Sequence, residues 1–148
     1  MKLSEHFSLE ELTRTDHRTL DNNPDAPALA NLHRLAAFLE QVREVLGNKV
    51  VMITSGYRSA AVNSACGSRE SSQHRLGCAA DIRVPGMTPD AVVKAVVASG
   101  LGYQQLIREF SDPVKGGGWT HISITNEPNA EPKRQALIID KLGVKPYA

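Results

Sequence analysis

Residues 78–84 read Cys78-Ala79-Ala80-Asp81-Ile82-Arg83-Val84, and residues 119–124 read Trp119-Thr120-His121-Ile122-Ser123-Ile124. Both alternate with the period of two that marks a half-buried strand. One face carries Ala80, Ile82 and Val84, or Ile122 and Ile124. The other carries Asp81 and Arg83, or Trp119, His121 and Ser123. Three further segments read as strands: Val50–Thr54, Gln105–Phe110 and Ala136–Asp140. Upstream, Leu29, Leu32, Leu35, Leu39, Val42 and Leu46 recur at three- and four-residue steps, the stripe of an amphipathic helix that Pro27 opens and Gly47 stops. Ser8 with Glu11 forms a capping box for a short helix reaching about Arg14. Ala60–Ala65 reads as a helical turn closed by Gly67, and Ser68–Gly77 as a polar loop. Thr88-Pro89-Asp90 opens another helix, with Val92, Val93, Val96 and Val97 expected inside and Gly100 as its stop. Pro128, Pro132 and Pro146 break the final stretches. Helices first, then strands with one inserted helix, predict an α+β fold: a small antiparallel sheet flanked by helices.

The 148 residues fit one domain, taken as 1–148, and 41% hydrophobic against 22% charged residues allows a sizeable core. Seventeen basic and 16 acidic residues leave a formal charge of +1 with no basic tract, so a nucleic-acid binder is not expected. The apolar runs are too short for a membrane span. The opening MKLSEHFSLEEL lacks an apolar signal core, so no secretory signal is expected. Two cysteines, Cys66 and Cys78, leave room for one bridge and no scaffold of bridges.

His74 and Asp81 are separated by six residues, and His121 follows forty positions after Asp81. Two imidazoles and a carboxylate are a common ligand set for a catalytic zinc whose fourth position stays open to water. Taken one at a time, each is more often an ordinary surface or core polar group than a ligand. His6, His17 and His33 lie apart from any such pattern and read as structural.

Three blocks carry a resemblance: Ser55-Gly56-Tyr57-Arg58-Ser59, then Ser72-Gln73-His74-Arg75-Leu76-Gly77-Cys78-Ala79-Ala80-Asp81, then Trp119-Thr120-His121. They resemble the zinc D-Ala-D-Ala carboxypeptidase family, whose pattern is S-G-Y-R, S-x-H-x-x-G-x-A-x-D and W-x-H. That family includes phage endolysins that cut peptidoglycan stem peptides, and it has the Hedgehog/DD-peptidase fold. The likeness runs from about Leu3 to Ile124, since S-E-H-F-S-L-E-E-L is similar to small phage and prophage members. It implies one zinc per chain on His74, Asp81 and His121. Arg58 would bind a substrate carboxylate or polarise a carbonyl, for which a guanidinium fork is well shaped. Ser72 would contact substrate or support the metal loop.

Many members of that family carry an acidic residue three positions before the last ligand, and here that position is Gly118. A zinc peptidase still needs a carboxylate to take a proton from water. Glu109 is the candidate base, on the strand expected to pair with Trp119–Ile124, and Asp112 is the second choice. The rival chemistries are a cysteine nucleophile paired with a histidine, a Cys66–His74–Cys78 structural metal site and a Ser72–His74–Asp81 triad. None has the local setting it requires. The resemblance therefore implies zinc-dependent hydrolysis of an amide bond in a peptidoglycan stem peptide. The alternative is a non-catalytic, zinc-containing wall-binding or phage structural module that kept the fold without the base. A monomer is expected, made in the cytoplasm and acting at the cell wall or periplasm after release, with a phage or prophage origin.

Overall fold

The computed structural model describes residues 1–147. Helix α1 (Leu9–Leu12) is held by the expected capping box: Ser8 Oγ accepts from Glu11 N at 3.2 Å, and Glu11 Oε1 accepts from Ser8 N at 3.2 Å. It ends before Arg14, where Thr13 Oγ1 donates back to the Leu9 carbonyl at 2.7 Å. Asp25 caps α2 (Ala26–Val45), Pro27 sits in its first turn, and Gly47, at φ +76°, takes the left-handed conformation that stops it. Strand β1 (Met52–Ser55) begins two residues later than expected. Helix α3 (Ala60–Ala65) follows as read, but the polar loop before Gly77 contains a 3-10 turn, Gln73–Leu76. Strand β2 (Ala79–Arg83), helix α4 (Pro89–Ser99), β3 (Gln105–Glu109), β4 (Trp119–Ser123), β5 (Gln135–Asp140) and β6 (Gly143–Pro146) complete the chain.

The six strands form one sheet in the order β1-β2-β4-β3-β5-β6. The α+β expectation holds, with two differences. The β3–β5 pair is parallel: β4 already occupies one side of β3, so the chain hops over the end of β3 and comes down on its free side. Strand β6 was missed because Pro146 reads as a breaker. It lies on the outermost strand, where a residue without an N–H leaves no ladder bond unmade.

One face of the sheet makes the core. Ile53, Ala80, Ile82, Leu106, Ile122 and Ile124 pack with Leu32, Leu35, Leu39 and Val42 of α2 and with Val92, Val93 and Val96 of α4. Each fully buried Leu or Ile contributes roughly 1.5–3 kcal/mol over leaving it in water. Val97, expected inside, is 40% exposed. At 100° per residue it lies about 140° round from Val92, at the rim of the buried stripe. Among the described residues no helix is long and apolar enough to cross a membrane.

The strand register decides what the opposite face presents. Asp81 on β2 faces His121 on β4, His121 faces Ile107 on β3, and Trp119 faces Glu109. At the end of β1, Gly56 lies so close to α1 that a β-carbon would collide with the Leu12 carbonyl, and Tyr57 N donates to that same oxygen at 2.7 Å. Gly56→Ala is therefore expected to destabilise the fold by on the order of 1–3 kcal/mol, the cost of overpacking. Urea melts of the two proteins measure the difference, and an unchanged midpoint would contradict this packing.

Candidate metal centre and active site

The cross-strand pair comes first. Asp81 and His121 point to the same side, and Asp81 Oδ1 lies 3.1 Å from His121 Nδ1. His74 reaches the other carboxylate oxygen from the 3-10 turn, its Nε2 3.5 Å from Asp81 Oδ2. The sequence builds that turn locally: Ser72 Oγ accepts from His74 N at 3.3 Å, and Gly77, at φ +78°, closes it against α2. His74 Nδ1 donates to the Gly56 carbonyl at 2.8 Å, which leaves Nε2 free for the site. The two imidazoles meet edge to face, their centres 5.1 Å apart.

Arg58 closes the site from below. Its Nε donates to Ser55 Oγ at 3.1 Å, Nη1 to Ser68 Oγ at 3.0 Å and Nη2 to Asp81 Oδ2 at 3.4 Å, while its backbone N–H donates to the His74 carbonyl at 2.9 Å. A guanidinium has five N–H groups, so two remain for a substrate. The side chains of Arg58, His74, Asp81 and His121 keep only 14, 5, 12 and 13% of their surface exposed. Burial alone would push the Asp81 carboxyl up. Hydrogen bonds from His121 and His74, with the charge those rings can carry, outweigh it and hold Asp81 well below the usual carboxylate range.

Among the described residues His74, Asp81 and His121 are the group placed to hold a metal, their donor atoms all within 4.8 Å of one another. The two ring nitrogens lie 3.1 and 3.5 Å from the Asp81 carboxylate, one at each oxygen, so the three side chains are close enough to share one ion with bonds of about 2.0–2.2 Å. The donor set fits a divalent cation, and its ordered partners (the Gly56 carbonyl on His74, Arg58 on Asp81) are those such a site uses to orient its ligands.

Glu109 lies on the same face. Its Oε2 accepts from Trp119 Nε1 at 2.9 Å. Burial, then the negative charge of Asp81, raise its pKa above the ordinary value. Asp112 is not drawn in: its Oδ1 accepts from Val114 N and Lys115 N at 2.8 and 3.0 Å, and those bonds lower its pKa. It organises a turn. Gly118 could not carry an acidic side chain here, because at φ +77° its β-carbon would collide with the carbonyl oxygens of Glu109 and Phe110.

Both cysteines are free, so no bridge forms. Burial raises the Cys78 pKa, and Cys66 is exposed at the C-terminal end of α3, away from the helix start where a reactive thiolate is favoured. Neither joins the cluster. Of the histidines read as structural, His6 does have a carboxylate partner, with Nδ1 2.7 Å from Glu40 Oε1. That pair bridges positions 34 apart, which no local pattern announces. Sequence reasoning also missed the Gly56 carbonyl, Ser55, Ser68 and the Trp119 indole. Ser55, Gly56 and Trp119 were legible only as members of the S-G-Y-R and W-x-H blocks.

His74→Ala, Asp81→Ala and His121→Ala are each expected to abolish tight divalent-metal binding, measured by elemental analysis after gel filtration. Full occupancy in the His121 variant would overturn the ligand set. A second expectation concerns stability without metal. With its pKa raised in the folded state, Glu109 favours folding while protonated, and that contribution disappears as pH rises through the folded value. In chelated protein, Glu109→Gln should therefore match the parent near pH 4 and melt higher than it at pH 7. Equal melting temperatures at both pH values would contradict the burial of this carboxylate.

Comparison with known proteins adds one result. Residues 5–115 match the family described as Peptidase M15. No curated protein matches the chain. The matched span contains Arg58, His74, Asp81 and Glu109 and stops short of β4, so His121 joins the site through the strand pairing. Because the match covers well over half of the sequence and the fold is the α+β arrangement described above, the chain belongs to the Peptidase M15 family of metallopeptidases.

Proposed function

We propose that this protein is a zinc-dependent peptidase that hydrolyses an amide bond in the stem peptide of peptidoglycan, as a DD-carboxypeptidase or an endopeptidase. The observation that carries the reading is the buried Asp81, shared between two imidazoles, with a second carboxylate of raised pKa on the same sheet face. One zinc per chain, on His74, Asp81 and His121, would supply an acidified water and polarise the scissile carbonyl.

The chain's own residues do the rest. Glu109 takes a proton from the attacking water at the oxygen not bonded to Trp119 and returns it to the leaving amine. Its raised pKa brings its basicity nearer to neutral, where such a shuttle works best. Arg58 steadies Asp81 and directs its two remaining N–H groups at a substrate carboxylate or a developing oxyanion. Ser72 caps the turn that carries His74, which favours metal-loop support over substrate contact. A non-catalytic wall-binding or phage structural module is the second reading, motivated by Gly118. Glu109, on the site's face, supplies the carboxylate that position lacks. We also read the chain as one catalytic domain acting as a monomer, of phage or prophage origin and active at the wall after release from the cytoplasm.

Mass spectra of muropeptides after digestion of purified peptidoglycan test the reading. Products should appear, vanish with a chelator and return with zinc. Glu109→Gln should keep its metal and lose roughly 10²–10⁴ in rate, while Asp112→Asn turns over normally. A dead Asp112→Asn beside an active Glu109→Gln would reverse the assignment of the base. No products from metal-loaded parent protein would favour the binding module.

A further inference from the structure

Glu109 is held by a device that the three sequence blocks do not explain. Its partner across the β3–β4 pair is Trp119, and the indole Nε1 donates to Oε2 at 2.9 Å. The Trp119 ring is itself packed, with the Phe110 ring tilted at 37° against it and centres 5.6 Å apart. Phe110 reaches that position from an unusual backbone. Its φ is +53°, a left-handed conformation that residues with a β-carbon rarely adopt, and its N–H donates to the Ile139 carbonyl at 2.9 Å. Opposite, Gly118 has no β-carbon, and one would collide with the carbonyls of Glu109 and Phe110. A strained aromatic, a glycine with no room for a side chain and an indole thus converge on one carboxylate.

We infer that Trp119 is a positioning residue that holds the Glu109 carboxylate in its working orientation through the indole N–H, with Phe110 bracing the ring. The inference rests on the reading of Glu109 as the base. The chemistry of the donor suits the task. An indole N–H donates only, so it can neither take the proton that Glu109 must accept nor neutralise the carboxylate as an ammonium would. It occupies one oxygen and leaves the other free. A glutamate has three rotatable side-chain bonds, and fixing one oxygen removes most of that freedom before substrate arrives.

The test uses full-length, zinc-loaded protein and a soluble disaccharide-peptide muropeptide. Trp119→Phe keeps a ring beside Phe110 and loses the N–H. Zinc content and melting temperature should stay close to the parent's, KM within about twofold, and kcat should fall on the order of tenfold. In a Glu109→Gln background the same substitution should cost nothing further, because it acts through the missing base. Trp119 is the chain's single tryptophan. Biosynthetic replacement by benzothienylalanine, which puts sulfur where the N–H was at nearly the same ring shape, therefore alters this one site. It should reproduce the loss even if the Phe variant folds poorly. An unchanged kcat for the benzothienyl protein, or an equal loss in both backgrounds, would overturn the inference while leaving Glu109 as the base. A fully active Glu109→Gln protein would instead overturn the reading of Glu109 itself.

Discussion

Asp81 has its two oxygens divided between two imidazoles, Oδ1 toward His121 Nδ1 and Oδ2 toward His74 Nε2, with Arg58 donating to the second. A buried carboxylate is tolerated only where its charge is met, and removing one partner leaves the others uncompensated. The surrounding structure is arranged to meet it. Strand β4 lies between β2 and β3, so His121 arrives by register. The capped 3-10 turn delivers His74, and the Gly56 carbonyl fixes which ring nitrogen faces inward. A metal ion of charge two on this donor set would meet a carboxylate already ionised and two imidazoles already oriented.

The same constraint separates the settings of the two carboxylates. Asp81 is shared among donors that outweigh its burial, so its carboxyl is held well below the usual range. Burial, then the negative charge of Asp81, raise the proton affinity of Glu109 against the single neutral donor it has. Two acidic groups on one sheet face are pushed in opposite directions by their surroundings, the usual way acid and base assignments separate. Gly118 belongs to this arrangement too. By leaving space beside the Glu109 and Phe110 carbonyls it lets β3 and β4 close together at the end where the second carboxylate stands.

The two faces of the sheet depend on different physics. The core face follows from apolar area and period alone: Ile82, Ile122 and Leu106 against Leu35, Leu39 and Val93. The site face is specified by polar pairs between residues 18 to 40 positions apart in the chain. Gly56 joins the two, since its close approach to α1 is a packing feature while its carbonyl is the acceptor for His74.

What the sequence by itself determined was local and periodic. The capping box, the α2 stripe, the alternation through Asp81 and His121 and the three motif blocks each lie within a short window, so the helices, most strands and the grouping of His74, Asp81 and His121 were legible. Strand β6 was not, because Pro146 is excluded from a strand interior but allowed on an edge, and edge position is a property of the assembled sheet. Nor was the difference in setting between Glu109 and Asp112. They are three residues apart and alike in type, and only the β3–β4 pairing puts one beside Trp119 on the site face and leaves the other capping a turn. Tertiary structure alone decided which carboxylate keeps a raised pKa and what Gly118 is for. Both follow from backbone and charge brought close by strand pairing, at sequence separations that no local pattern records.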